Sequence, residues 1–286
     1  CAMQSLMGTW FLHRFTEGAL RERLFLPALT GDAIGAICMT EPDAGSDLMA
    51  VTTRAEARGD RWLISGAKTW VTSAPVADFF TVLARTGDTE LSFFLVERGA
   101  DGLTVGRSID KMGVRASLTS EVGFEETPAT CVLGDPGQGA SCLRDVLAEI
   151  RLLTAALALG VGRAAFEDAR AYADERRQFD RPLRKFQAIQ AHLAEMAVDL
   201  EAARRMTWWA AWRGEQGGGS AQEASMAKLH ASEAALRICD RAARIFASYG
   251  YARDYPIERY LRDVRFTLIG GGTSEILRVN IARGLY

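Results

Sequence analysis

The chain has 286 residues and a formal net charge of −2, with 48% hydrophobic and 24% charged residues. These values are ordinary for a globular protein and leave room for a large core and two sub-domains. They exclude the strongly basic surface that nucleic acid or an anionic membrane would require, so we expect no nucleic-acid partner.

Cysteines and histidines are few and widely spaced. The five cysteines, none of them in a CxxC pair, are Cys1, Cys38, Cys131, Cys142 and Cys239. This usage indicates a reducing compartment, and we expect a cytoplasmic protein. None of the three histidines has a carboxylate or cysteine at ligand spacing, so we predict no metal site. No apolar run is long enough for a membrane-spanning helix.

The first 30 residues predict two short helices, because apolar side chains recur there at roughly helical spacing. Gly31 and Asp32 mark the end of the second helix. The chain opens within the first helix at Cys1-Ala2-Met3-Gln4, which does not look like a natural start. We therefore expect that a preceding segment is missing.

From Ile34 to about Val132 the sequence changes to short β-rich runs bounded by Gly, Asp or Glu. The predicted strands are an apolar run from Ile34 that Pro42 ends, then 62–65 and 68–72 on either side of Gly66, and then 79–84 and 91–96. Strands at this spacing predict a sandwich or barrel. Residues 135–139 predict a linker.

After Gly139 the chain predicts five helices. They cover Cys142 to about Glu175, 186–212, Ala221 to about Tyr249, a segment opened by Pro256, and 273–285. The second helix is expected to end at Gly214 and the loop 217–220. A β-rich centre followed by a helical bundle predicts an α+β architecture.

Two stretches of the β-rich part carry candidate binding groups. The loop 43–47 follows Thr40-Glu41-Pro42, and its Ser46 and Gly45 place a hydroxyl and a flexible turn beside free backbone N–H groups. Such donors suit a phosphate, a carbonyl or the polar edge of a ring, although an ordinary strand-to-turn junction has the same pattern. Trp70 and Thr72 could cover a flat ring, or Trp70 could belong to the core.

Two stretches of the helical part suit an anion. Arg176-Arg177-Gln178-Phe179 follows a long helix and could bind a pyrophosphate or end the helix in solvent. Gly270-Gly271-Gly272 precedes Thr273 and Glu275 at a helix start. Glycines there can let an anion approach free N–H groups, while Thr273 as a plain N-cap needs no ligand.

Taken in order, these segments resemble the acyl-CoA dehydrogenase family. The matching strings are Thr40-Glu41-Pro42 with Ala44-Gly45-Ser46-Asp47, Lys68 to Thr72, Glu175 to Phe179 with Phe186 to Ile189, Tyr255 to Arg259 with Arg262-Asp263, and Gly270 to Glu275. The resemblance runs from about Leu6 to Tyr286. It implies the tail of an N-terminal helical domain (1–33), a middle β-domain (34–138) and a C-terminal helical bundle (139–286). Most of the N-terminal domain, roughly a hundred residues, is then expected to be missing.

The resemblance also implies FAD as the cofactor and a homo-oligomer, either a dimer or a tetramer. The positions that it assigns to the flavin ring and its loop are Ile37, Met39, Thr40, Gly45, Ser46, Trp70 and Thr72. Those that it assigns to the FAD of a neighbouring protomer are Arg176, Phe179, Gln187 and, by a looser match, Arg244. Gly272, Thr273 and Glu275 complete the nucleotide site, and Ser46 and Arg151 lie near the substrate thioester.

The catalytic base is where the chain departs from the family. Family members remove the α-proton of an acyl thioester with a carboxylate, while the β-hydrogen passes to flavin N5 as hydride. One usual position of that carboxylate is occupied here by Gly271, and the other by Ile150, directly before Arg151. Glu149 is one residue earlier, about 100° away around a helix. It is the candidate base that remains, and the alternative is an ordinary solvated glutamate on the helix surface.

We therefore expect an FAD-dependent oxidoreductase that oxidises the CH–CH group of an acyl thioester carried by CoA or an acyl-carrier protein. A flavoprotein or oxygen would accept the electrons. The alternative is a flavin-binding relative without dehydrogenase activity: an oxygenase, a reductase, or a binding or assembly subunit. A flavin-free homologue fits less well, because the flavin-loop residues are all present.

Overall fold

The structure is a computed structural model that describes residues 2–217 and 221–286. The chain divides into two compact units. The first unit comprises residues 1–111 and 115–146, and the second comprises 112–114 and 147–286. Most of the loop expected at 217–220 lies outside the described residues. No helix in the described part of the chain combines the length and apolar composition that a membrane crossing requires.

The first unit opens with helical segments, as predicted. α1 spans Ala2–Phe15, and a second helical stretch runs through α2 (Gly18–Leu20), a π-helical turn (Arg21–Phe25) and α3 (Leu26–Thr30). Gly31 ends this stretch in the left-handed conformation, with φ of +88°, which glycine adopts without a Cβ penalty.

One mixed sheet of eight strands follows. The strands are β1 (Gly35–Cys38), β2 (Arg54–Arg58), β3 (Arg61–Thr72), β4 (Phe79–Arg85), β5 (Leu91–Glu97), β6 (Leu103–Val105), β7 (Thr119–Pro128) and β8 (Cys131–Leu133). Their order is β6-β7-β3-β2-β4-β5-β8, and β1 pairs in parallel with β4. β4 and β5 are buried on both faces, which explains their continuous apolar sequences. β2, β6, β7 and β8 were not individually predicted, because their sequences are short or polar.

β3 is one strand of 12 residues, so the prediction of two strands around Gly66 was wrong. The strand instead bends at two register shifts against β7, between Ile64 and Gly66 and between Lys68 and Val71. Gly66 has φ of +147°, and a Cβ there would lie 2.5 Å from Thr53 Oγ1, so only glycine fits. The second shift places Trp70, which is central to the site below.

The second unit is helical. Its elements are α4 (Gly139–Glu175, which begins in the first unit), a hairpin of β9 (Arg177–Gln178) and β10 (Arg181–Pro182), α5 (Gln187–Glu215), α6 (Ala221–Phe246), α7 (Ser248–Tyr251), α8 (Ile257–Val264) and α9 (Ser274–Arg283). The core is rich in alanine, which lets the helices lie close together. A Cβ on Gly162 of α4 would lie 3.3 Å from Ala235 of α6. The predicted helices are confirmed, except that α6 ends at Phe246 rather than near Tyr249, because Ala247 has φ of +52°.

Candidate active site

A buried ion pair anchors the Thr40-Glu41-Pro42 segment of the first unit. Lys68 Nζ donates to Glu41 Oε1 at 2.8 Å and to the Met39 carbonyl at 3.0 Å. The Glu41 carboxylate also accepts from the backbone N–H groups of Thr52 and Thr53, at 2.7 and 2.9 Å. The segment therefore has a fixed position relative to β3, on which Lys68 lies.

The hydrogen bonds to Glu41 decide its ionisation. Burial by itself would raise the pKa of Glu41, but the hydrogen bonds from Lys68, Thr53 and Thr52 outweigh this effect and lower the pKa to about 2. Burial lowers the pKa of Lys68, and the Glu41 carboxylate opposes that shift. The Glu41 carboxylate is therefore ionised near neutral pH. Sequence reasoning missed this role, although both residues lie inside the matched strings.

The anchored segment presents polar groups to solvent. Ile37 is buried in β1, Met39 and Thr40 are half-buried, and Gly45 and Ser46 are exposed. The Thr40 carbonyl accepts from Thr69 N–H at 2.9 Å, which ties the loop to β3 next to Trp70. The hydroxyls of Thr40 and Ser46 make no hydrogen bond within the described residues, so both remain available to a ligand.

Trp70 is held out of the core in an unfavourable backbone conformation. Its φ is +57°, and its side chain is 58% exposed, while Lys68 and Val71 beside it are buried. A bulky residue in the left-handed region costs about 1–3 kcal/mol. The strained backbone leaves a largely exposed aromatic ring, which suits contact with a flat ligand. Thr72, also available, is half-buried two residues further on.

The predicted interface segment of the second unit forms a tight hairpin. Phe179 and Asp180 join β9 to β10 with φ of +49° and +63°, the conformation of a two-residue type I′ turn. Phe179 is 86% exposed and contacts Phe186 edge-on at 6.2 Å. An exposed aromatic ring at a strained turn is suited to contact with another chain or a ligand.

The other candidates for the neighbouring FAD are also exposed. Arg176 lies at the start of the hairpin, with its guanidinium 5.8 Å from the Tyr249 ring. Gln187 is the first residue of α5. Arg244 forms an ion pair with Asp240 at 2.8 Å, so a phosphate would have to compete with that carboxylate.

The glycine triplet leads into α9. Thr273 Oγ1 accepts from Ile276 N–H at 3.3 Å and is thus the N-cap, as one of the two interpretations predicted. The pKa of the Glu275 carboxyl is lowered by a hydrogen bond from its own backbone N–H and by one from the Thr273 hydroxyl. Glu275 is exposed in the first turn of the helix.

Two buried cations hold the triplet. Arg151 Nε donates to the Gly271 carbonyl at 3.2 Å and Arg151 Nη1 to Ser225 Oγ at 3.3 Å. Lys228 Nζ donates to the Gly272 carbonyl at 2.6 Å. We call Arg151, Lys228 and the glycine triplet that they hydrogen-bond the cationic floor.

The cationic floor lacks a matching acid. Neither Arg151 nor Lys228 forms an ion pair with a carboxylate of residues 2–217 or 221–286. Burial and, to a smaller extent, the charge of Arg151 lower the pKa of Lys228 to about 8, against opposing effects of Glu275 and Glu233. Burial also lowers the pKa of Arg151. Sequence reasoning missed Lys228, because it lies on a different helix, far from the triplet in the chain.

The two positions of the usual family base are neighbours here. A Cβ on Gly271 would lie 3.1 Å from Ile150 Cγ2 and 3.5 Å from Thr154 Oγ1. Ile150 is only 5% exposed, whereas Glu149 is exposed. An isoleucine methyl, rather than a carboxylate, therefore faces Gly271, and the role of Glu149 stays a prediction. Within the described residues, no cluster of His, Cys, Asp or Glu could hold a metal ion.

Comparisons with known proteins agree with this architecture. Residues 36–127 match the family model for the acyl-CoA dehydrogenase middle domain, and residues 137–286 match that for its C-terminal domain. Benzylmalonyl-CoA dehydrogenase of Aromatoleum aromaticum is 57% identical over 286 residues, which cover 99% of this chain and 76% of that protein. 3-(Aryl)acrylate reductase of Clostridium sporogenes is 39% identical, with coverage of 98% and 76%. The structure of butyryl-CoA dehydrogenase from Megasphaera elsdenii aligns with a TM-score of 0.95 at 33% identity, over 99% of this chain and 76% of that one.

These matches and the site define a flavoprotein oxidoreductase that acts on CH–CH groups. The chain belongs to the acyl-CoA dehydrogenase family, whose members carry out FAD-dependent oxidation of acyl-CoA. The predicted family, fold class and enzyme class are confirmed.

Proposed function

We propose that this chain oxidises the Cα–Cβ bond of an acyl-CoA whose β-carbon carries an aryl group. Flavin binding is supported chiefly by Trp70, which is exposed and has a strained backbone. It lies beside an anchored loop whose hydroxyls are available to a ligand. Bound FAD would accept the β-hydrogen as hydride. The aryl group is suggested by two relatives, whose names describe a benzyl-substituted malonyl-CoA and an aryl-substituted acrylate.

Within the first unit, different residues would hold different parts of the flavin ring. Trp70 would cover one face, and the hydroxyls of Thr40, Ser46 and Thr72 would donate to the polar edge. Ile37, Met39 and Gly45 would shape the loop, and Ser46 would also lie near the thioester. The Glu41–Lys68 pair would keep the donors in place by its hydrogen bonds to both sides of the loop.

Within the second unit, exposed groups would hold the nucleotide. Gly272, Thr273 and Glu275 at the start of α9 would complete the nucleotide site. The residues that would contact the FAD of a neighbouring protomer are Arg176, Phe179, Gln187 and Arg244. This arrangement requires a dimer or tetramer. Arg151 would lie near the thioester.

The cellular setting is part of the same proposal. The four cysteines in the described residues, Cys38, Cys131, Cys142 and Cys239, are free thiols, which suits a reducing cytoplasm. CoA is favoured over an acyl-carrier protein, because the relative with the higher identity is named for a CoA thioester. A flavoprotein or oxygen would take the electrons from the reduced enzyme.

The flavin assignment is tested by the double substitution Trp70→Ala with Thr72→Val. We expect FAD binding at least about 10-fold weaker, because a ring contact and a hydrogen bond are both lost. Absorbance of the purified protein measures the FAD content. Trp208→Ala is the matched control, because Trp208 is a similarly exposed tryptophan (61%) on α5. Stoichiometric FAD in the double variant would contradict the assignment.

A second function is favoured by Gly271 and Ile150, which leave both usual base positions without a carboxylate. The chain could bind flavin and a thioester without oxidising it, as an oxygenase, reductase or binding subunit. Anaerobic mixing of the FAD-loaded protein with acyl thioesters distinguishes oxidation from binding without oxidation. Bleaching of the flavin band supports oxidation, and a spectral shift without bleaching supports the second function.

A further inference from the structure

The first position of the glycine triplet is covered by an aromatic ring from elsewhere in the second unit. A Cβ on Gly270 would lie 2.6 Å from Phe266 Cε2 and 2.7 Å from Phe266 Cζ. No Cβ comes that close to another carbon atom, so residue 270 has no room for a side chain while the ring stays in place. The tip of the Phe266 ring therefore takes the space that a side chain at position 270 would fill.

The turn that carries Phe266 is fixed to the helical core. It is a 3₁₀ turn, Arg265–Leu268, and the Phe266 carbonyl accepts from Gly270 N–H at 2.9 Å. Ser232 Oγ of α6 donates to the Thr267 carbonyl at 2.9 Å, and both of these residues are fully buried. The ring thus has a defined position beside the triplet.

The Phe266 ring is only partly covered by the second unit. It is half-buried, and it forms no aromatic pair with another ring in residues 2–217 and 221–286. Ile269, between the ring and the triplet in sequence, is 64% exposed. A half-buried ring beside an exposed apolar side chain offers a surface that an aromatic group of a ligand can pack against.

We propose that Phe266 is a specificity-determining residue, whose ring contacts the aryl group of the acyl chain beside Gly270. This inference rests on the proposed function, in which Arg151 lies near the thioester. Arg151 Nε donates to the carbonyl of Gly271, the residue after Gly270, at 3.2 Å. Only Cα and Cβ separate the aryl ring from the thioester carbonyl, so an aryl group on Cβ comes within reach of Phe266.

The contact distinguishes aryl from alkyl chains. Two aromatic rings attract each other beyond the effect of burial, by an amount that corresponds to about 3- to 10-fold in affinity. An unbranched alkyl chain gains only the burial. Leucine at position 266 would keep much of the apolar surface and lose the ring pair, so it should lower the preference for aryl chains.

Calorimetry on the FAD-loaded protein tests this contact without turnover. The two ligands are 3-phenylacryloyl-CoA and hex-2-enoyl-CoA, which already carry the Cα=Cβ bond. In Phe266→Leu we expect the ratio of the two Kd values to shift about 3- to 10-fold against the aryl ligand. Phe166→Leu is the matched control and should leave the ratio unchanged. Phe166 is also half-buried, and it lies about four turns along α4 from Arg151.

A second variant reaches the same contact from the glycine. The Cβ of Gly270→Ala cannot coexist with the ring in its present position, so the ring must move away. We expect the preference for the aryl ligand to fall again, with affinity for hex-2-enoyl-CoA changed by less than about twofold. The result for Phe266→Leu stands even if Gly270→Ala fails to fold.

The outcomes separate this inference from the proposed function. An unchanged ratio in Phe266→Leu, or an equal loss of affinity for both ligands, would overturn the inference and show that the ring only packs against Gly270. Loss of FAD from Phe266→Leu but not from Phe166→Leu would also overturn it, because the ring would then contact the cofactor. If the expected shift occurs but 3-phenylpropionyl-CoA does not bleach the wild-type flavin, the inference stands and the proposed oxidation fails.

Discussion

Each unit contains buried cations beside its own candidate binding groups, but only the first unit supplies an acid for them. In the first unit, Lys68 pairs with Glu41 at 2.8 Å, and backbone N–H groups complete the carboxylate's hydrogen bonds. In the second unit, Arg151 and Lys228 donate to carbonyls and a hydroxyl only. The first arrangement is complete by itself and gives a rigid scaffold. The second is incomplete, which is the property expected of a site that receives an anionic ligand.

The largest expected effect comes from breaking the complete pair. Lys68→Met leaves the Glu41 carboxylate buried without its cation, and we expect a loss of about 3–5 kcal/mol in the free energy of unfolding. Urea denaturation measures it. Lys185→Met is the control, because Lys185 is exposed and should change stability little. A loss below about 1 kcal/mol in Lys68→Met would show that the pair is not a scaffold.

Acid should weaken the same pair. The folded pKa of Glu41 is about 2, below its unfolded value of about 4.3. A lowered carboxylate pKa stabilises the fold above the unfolded value, and this contribution is lost as the pH falls from about 4 toward 2. The full contribution is on the order of 3 kcal/mol. Unfolding measured against pH should show this loss, and Glu41→Gln should remove that part of the pH dependence. An identical acid profile in both proteins would rule out Glu41 as its cause.

The smallest expected effect on stability comes from the incomplete site. Lys228→Met leaves no orphaned acid, so we expect unfolding to change by less than about 2 kcal/mol. Binding of an anionic ligand such as 3-phenylpropionyl-CoA should nevertheless weaken about 10-fold, as measured by calorimetry. In the wild type this affinity should fall as the pH rises through about 8, because Lys228 then loses its charge. If Lys228→Met were as destabilised as Lys68→Met and bound the ligand unchanged, Lys228 would be part of the scaffold rather than of a ligand site.

Local sequence was sufficient for the regular elements but not for the strained ones. β4 and β5 are continuous apolar runs, and α4 and α5 have long helical patterns, so their existence followed from periodicity. The bulge that exposes Trp70 depends on the register between β3 and β7, whose partners are distant in sequence. The turn at Phe179 likewise places an aromatic residue where glycine or asparagine is usual.

The candidate site residues likewise divide into those that the sequence identifies and those that depend on the tertiary fold. The flavin-loop strings identified the family, and the missing base at Gly271 and Ile150 was visible in the sequence. Their closeness in space depends on the tertiary fold, because Ile150 lies on α4 and Gly271 directly precedes α9. Lys228 of α6 is a lysine in an ordinary amphipathic helix until the fold brings it to the Gly272 carbonyl.

Exchange of the substrate α-hydrogen with solvent tests most directly the central claim that the second unit has no carboxylate beside its buried cations, because it reports a protein base without any transfer of hydride. 3-Phenylpropionyl-CoA would be incubated with the protein in D₂O, and deuterium at Cα followed by mass spectrometry. We predict no exchange above background in the wild type, and exchange in Ile150→Glu, which puts a carboxylate beside Gly271. Wild-type exchange that disappears in Glu149→Gln would contradict the account and identify Glu149 as the base.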